Sequence, residues 1–146
     1  MGQADHSFFP TGRYGRRKLL RALVADVSLA DRRYVTTVLN ACGFDCMGAS
    51  DGIEAIKYAS PHGIDLIVTA IDMPFLDGLE LLSLAQRGAF GRNPPPAILC
   101  ADRTIDTISL PAGPAATMAV TAILKPILAE DLIAAVAASF PEPRTA

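Results

Sequence analysis

Cysteine, histidine and charge are all sparse in this chain. Its three cysteines, Cys42, Cys46 and Cys100, form no CxxC pair and have no matching pair of histidines. Cys42 and Cys46 stand four apart, but Gly43 between them marks a helix end. A disulfide framework and a zinc site are therefore set aside, and buried thiols in a reducing cytoplasm are the expected state. His6 and His62 are isolated, with no Ser or Cys partner from which a nucleophilic site could be built. Only 19% of the residues are charged and the net charge is −2, so no overall field draws the protein to nucleic acid. No apolar run reaches the roughly 18 residues a membrane span needs. The N-terminus is polar and lacks the apolar core of a secretory signal. The expected location is the cytoplasm, away from membranes.

Hydrophobic residues are plentiful. They make up 51% of 146 residues, which excludes disorder for most of the chain and fits one domain. A chain of this size buries roughly two-thirds of its unfolded surface. Residues 1–17, MGQADHSFFPTGRYGRR, show no period and read as a flexible arm, with residues 141–146 as a short tail. The arm is either a solvated tail or a docking segment, in which Phe8 and Phe9 would anchor and Arg13, Arg16 and Arg17 would meet an anionic partner.

From residue 18 to 140 a rhythm holds. Leu19–Ala25 is a short apolar run. Ser28 can cap a helix over 29–41 with Leu29, Val35, Val38 and Leu39 on one stripe, and Gly43 stops it. Phe44–Ala49 reads as a strand. Asp51 caps a helix over about 52–60, closed by Pro61 and Gly63. Leu66–Ile71 is β-branched and apolar without alternation, as in a strand covered on both faces. A helix over 77–87 follows, capped by Asp77, with Glu80 read as a solvated helix residue. Ala97–Ala101 and Val120–Leu124 are two further strands, and 128–140 is a last amphipathic helix. Five alternations of strand and helix predict an α/β fold, a parallel sheet with helices on both faces. Right-handed crossovers make it a doubly wound (βα)5 sandwich of flavodoxin-like order 2-1-3-4-5, with its cleft at the carboxyl ends of the strands. The residues to inspect are then Asp26–Ser28, Ala70–Pro74, Cys100–Asp102 and Lys125-Pro126.

These strand ends carry landmarks. ALVADVS (22–28), GFDCMGASDGIEAI (43–56), DLIVTAIDMPFLDG (65–78) and LKP (124–126) follow one another in an order that resembles the receiver domain of bacterial response regulators, over about residues 18–140. The resemblance implies a signalling domain rather than an enzyme. In that family an aspartate at the end of strand three accepts a phosphoryl group from a histidine kinase. Two acids after strand one hold Mg²⁺, and a backbone carbonyl two residues past the acceptor completes the metal site. A Thr or Ser after strand four and a lysine after strand five contact the phosphoryl oxygens, and an aromatic on strand five relays the change.

Carried onto this chain, Asp26 matches the first acid and Val27 stands in place of the second. Ala70 stands at the acceptor position, and Asp72 matches the carbonyl position. Cys100 replaces the hydroxyl, Ala122 replaces the switch aromatic, and Lys125 and Pro126 are retained. Reading Asp72 as the acceptor would break its spacing to Met73-Pro74 and Asp77-Gly78. Alanine offers no nucleophile. The pattern implies a degenerate pseudo-receiver with no catalytic residue and no cofactor, in which Asp26 and Asp72 are the remaining metal candidates. Two carboxylates without a third hold Mg²⁺ poorly. Lys125, deprived of its carboxylate partner, is expected to pair with Asp26, with Asp72 or Asp102 in competition, and the Lys125-Pro126 bond is expected to be cis.

Between Cys100 and Lys125, Pro111, Gly113 and Pro114 fall where the family has its fourth helix, which predicts a short helix over about 103–110, or none. Ile105, Ile108, Leu110 and Met118 are candidate exposed contacts. The function expected is a stand-alone pseudo-receiver, a phosphorylation-independent adaptor. It would bind a histidine kinase, a phosphotransfer protein or another regulator, or form a homodimer through the face of fourth helix, fifth strand and fifth helix. The alternative is a sensor that binds a small anion or nucleotide at the degenerate pocket or the Arg-rich arm. The RxxxR spacing of Arg13–Arg17 matches a cyclic-dinucleotide grip only by chance, because its companion motif is missing.

Overall fold

The structure, a computed structural model, describes residues 19–59, 63–102 and 118–141. It holds a five-stranded parallel sheet in the order β2-β1-β3-β4-β5. The strands are β1 (Leu20–Ala25), β2 (Phe44–Ala49), β3 (Leu66–Ala70), β4 (Ala97–Ala101) and β5 (Val120–Leu124). Four helices are described: α1 (Leu29–Ala41), α2 (Gly52–Ala59), α3 (Gly78–Gln86) and α4 (Ala129–Ser139). The arm at 1–17, the stretch predicted as a short helix with Ile105, Ile108 and Leu110, and the tail from residue 142 lie outside the described residues.

Each element follows from its residues. β3 and β4 are buried at every position, as their unbroken apolar runs require of strands covered on both faces. In β1 the pleat sends Ala22 and Val24 to one face and Leu23 and Ala25 to the other. The first pair packs with Val35 and Leu39 of α1 and with Leu132 and Val136 of α4. The second packs with Ala55 of α2 and with Leu81 and Leu82 of α3. Ser28 caps α1 by accepting from Asp31 N at 3.1 Å. Asp51 accepts from Glu54 N at 2.8 Å, while Glu54 accepts from Ser50 N and Ser50 Oγ. Those bonds from Ser50 hold the Glu54 carboxyl below its ordinary pKa. Gly43, at φ 98°, supplies the left-handed turn that ends α1.

Three expectations need correction. Leu29 does not join the buried stripe of α1; it opens the helix and faces solvent. Met118 is buried in the core rather than exposed, because it lies at the entry to β5. Glu80 is more than a solvated residue. Its carboxylate accepts from Asp77 N at 2.9 Å while Asp77 accepts from Glu80 N at 2.8 Å, a reciprocal capping box. Among the described residues no helix is long and apolar enough to cross a membrane.

Candidate functional site

The sheet order reverses between β1 and β3, and at that switch the carboxyl ends of neighbouring strands open into a cleft. A cavity of about 170 Å³ lies there, lined by residues that leave β1, β3, β4 and β5. Register brings them together: Ala25 pairs with Thr69, Ala70 with Cys100, and Ala101 with Leu124. The residues just past these positions therefore ring one opening. Asp26, Val27, Ala70, Asp72, Cys100, Asp102 and Lys125 all line it, with Ser28 and Ile71. Of the sequence candidates, Ala122 and Pro126 stand apart from this lining. Ala122 lines a second, open groove between β5 and α4. Pro126 follows Lys125 through a cis peptide bond.

The loop after β3 is folded tightly back on the strand end. Gly78 N donates to Ile71 O at 2.8 Å, and a Cβ on Gly78 would stand 2.0 Å from Ala70 O. Only glycine permits this approach, which is the physical content of the Asp-Gly at 77–78. Within the loop Leu76 N donates to Pro74 O at 2.7 Å around Phe75, whose φ is +70°. This is a γ-turn of the rare positive-φ hand, strained for a side chain with a Cβ.

Asp26 is buried and has both carboxylate oxygens engaged. Ser28 N donates to Oδ1 at 2.9 Å and Lys125 Nζ to Oδ2 at 2.9 Å. The expected Asp26–Lys125 pair is present. Lys125 Nζ also donates to Asp31 Oδ2 at 2.7 Å, a second partner beyond the one expected from sequence. Asp31 sits in the first turn of α1, three residues past its cap, and that position was the available signal. Arg32 adds a hydrogen bond from Nη1 to the Asp26 carbonyl oxygen. Burial pulls the Lys125 amine down, but its bonds to Asp31 and Asp26 and their charges outweigh this and leave its pKa raised. Burial, reinforced by the charge of Asp26, pushes the Cys100 thiol up to about 12, so it stays protonated and poorly nucleophilic at neutral pH.

A divalent cation needs carboxylate oxygens free to coordinate. Here Asp26 is committed to an ammonium and a backbone amide, and Val27 and Ala70 bring no oxygen from their side chains. Among the described residues no group of three His, Cys, Asp or Glu side chains is placed to hold a metal ion. Asp72 and Asp102 are the lining's other carboxylates, and with Asp26 so engaged this donor set does not fit Mg²⁺.

The family model described as the response regulator receiver domain matches residues 22–137. The chain belongs to this family. Receiver domains act in two-component signalling, in exchange with histidine kinases and other regulators. Among curated proteins, this receiver is 29% identical over 99 residues to the two-component response regulator-like protein APRR9 of Arabidopsis thaliana, covering 66% of the present chain and 21% of that protein. It is 37% identical over 62 residues to the sensor protein EvgS of Escherichia coli, covering 42% of the present chain and 5% of that protein. The matched stretch is thus a small part of these relatives. Among solved structures, the chemotaxis response regulator CheY4 of Vibrio cholerae superposes with a TM-score of 0.70 at 21% identity, over 84% of this chain and all (100%) of that one. The receiver domain of the hybrid histidine kinase CckA superposes with a TM-score of 0.65 at 27% identity, over 83% and 99%.

Proposed function

We infer that this receiver has lost the phosphoryl chemistry of its family and acts in two-component signalling through phosphorylation-independent contacts. The observation that carries the reading is the Lys125 ammonium held by Asp26 at 2.9 Å and Asp31 at 2.7 Å, beside Val27 and Ala70. Where the family resemblance calls for an acceptor carboxylate, Ala70 offers a methyl group. Where it calls for a metal-binding acid, Val27 offers an isopropyl group. The lysine that would meet a phosphoryl oxygen is already neutralised within the protein. The pocket carries neither Mg²⁺ nor a nucleophile in this reading, and the chain is not an enzyme.

Partners are a histidine kinase, a phosphotransfer protein or another regulator. Contact surface is available at the pocket rim. Val27 is 56% exposed, and Leu29 and Leu128 are exposed at the openings of α1 and α4, which pack side by side. Apolar side chains clustered at the mouth of a polar cleft suit a protein partner. Self-association through the face of β5 and α4 would be a homodimeric form of the same role. A small anion in the cleft is disfavoured, because Asp26 and Asp31 already neutralise the Lys125 ammonium and would repel a further negative charge beside it.

Incubation with Mg²⁺ and a small-molecule phosphodonor, followed by intact mass spectrometry, tests the reading. No gain of a phosphoryl group is expected. A stoichiometric gain would overturn it, and fragmentation would then locate the accepting residue.

A further inference from the structure

A second feature lies away from the cleft, on the outer side of α2. An open groove of about 480 Å³ runs along this helix, lined by Asp51, Ile53, Glu54, Lys57, Tyr58 and Phe75. Its apolar members are unusually bare: Phe75 is 84% exposed, Ile53 52% and Tyr58 47%. Phe75 is held out by the positive-φ turn that Leu76 N closes onto Pro74 O. A large aromatic kept in solvent by a strained turn implies something to cover it.

We propose that the groove is the docking site of this chain's own residues 8–17. Three observations favour this occupant. The first is placement. Residues 1–18 lead directly into β1, so they join the sheet at the amino ends of its strands. Helix α2 packs over β1 and β2 and runs antiparallel to them after the β2 crossover, so its Tyr58 end lies toward that same edge. The second is reach. The 8 residues of α2 span about 12 Å at 1.5 Å per residue. The stretch from Leu19 back to Phe8 extends up to roughly 36 Å, enough to follow the whole groove to Phe75. The third is complementarity. Residues 1–18 hold Arg13, Arg16, Arg17 and Lys18, four of the chain's 13 basic residues, against Asp5, one of its 15 acids. The remainder therefore carries nine basic residues and fourteen carboxylates. Phe8 and Phe9 supply apolar anchors for Ile53 and Phe75. Two carboxylates, Asp51 and Glu54, outnumber the single cation Lys57 along the groove, so the arginines find acidic partners there and can stack on the Tyr58 ring.

The test places p-benzoylphenylalanine at position 9 of the full chain, irradiates it, and maps the adducts. The expected result is adducts within the monomer at residues 53–58 or 75, with a yield independent of protein concentration. The yield should fall several-fold in the Ile53→Asp, Tyr58→Ser background, whose exposed positions leave folding intact, as urea unfolding would verify. Adducts in the β5–α4 groove instead, adducts only between copies, no adducts, or a yield indifferent to Ile53→Asp, Tyr58→Ser would each overturn the proposal. None of these outcomes bears on the phosphorylation reading.

Discussion

Lys125 decides the behaviour of the cleft at the scale of single residues. Its ammonium is anchored to one buried and one half-exposed carboxylate, and these differ in value. Asp26→Ala strips a buried partner and leaves Ser28 N without its acceptor, so a loss of about 2–3 kcal/mol is expected in urea unfolding. Asp31→Ala removes a partner that solvent already screens, and a loss under about 1 kcal/mol is expected. The raised pKa of Lys125 gives a further check. Its stabilising effect is complete below the ordinary lysine value of about 10.4 and is lost as pH rises through the higher folded value. The gap in unfolding midpoint between the native protein and Lys125→Met should therefore narrow from pH 8 to pH 11; a constant gap would contradict the pairing. Much of the cleft is legible from sequence at this scale, because Asp26, Val27, Ala70 and Lys125 fall at strand ends that register brings together. Asp31 is not, because nothing in a helix's first turn says which way a surface carboxylate leans across space.

Elements hold these residues in place, and the join between β3 and α3 is the tightest of them. The approach of Gly78 to Ala70 O leaves no room for a methyl group. Gly78→Ala should cost at least about 3 kcal/mol, or prevent folding, because the clash is with backbone rather than a side chain that can move. Asp77→Ala, which opens the reciprocal cap with Glu80, should cost about 1 kcal/mol by the same measurement. Phe75 behaves differently. Glycine would relax its positive φ but would loosen the unfolded chain and give up the contacts of the ring, so Phe75→Gly should change stability by no more than about 1 kcal/mol in either direction. Element positions are readable because apolar runs and caps are local signals, and Leu29–Ala41 falls where Ser28 and Gly43 place it. The left-handed turn at Phe75 is not readable, since its aromatic residue carries no preference for that conformation.

The whole molecule is a doubly wound sheet whose switch point collects three acids, Asp26, Asp72 and Asp102, one lysine, and an alanine and a valine that cannot do phosphoryl chemistry. The fold is legible because five apolar strands alternate with capped helices, and parallel crossovers leave few topologies open. The exposure of the α2 groove is not legible, since periodicity cannot say which apolar side chains remain uncovered once the sheet is formed. The central claim is that the cleft no longer takes up Mg²⁺ and a phosphoryl group. It is tested most directly by amide NMR of the full chain titrated with Mg²⁺ and then with beryllofluoride, a mimic of the aspartyl phosphate in this family. The expected result is that the amides around Asp26, Asp72 and Lys125 stay in place through millimolar Mg²⁺ and after beryllofluoride is added. Saturable shifts at those positions would show a working acidic site and contradict the claim.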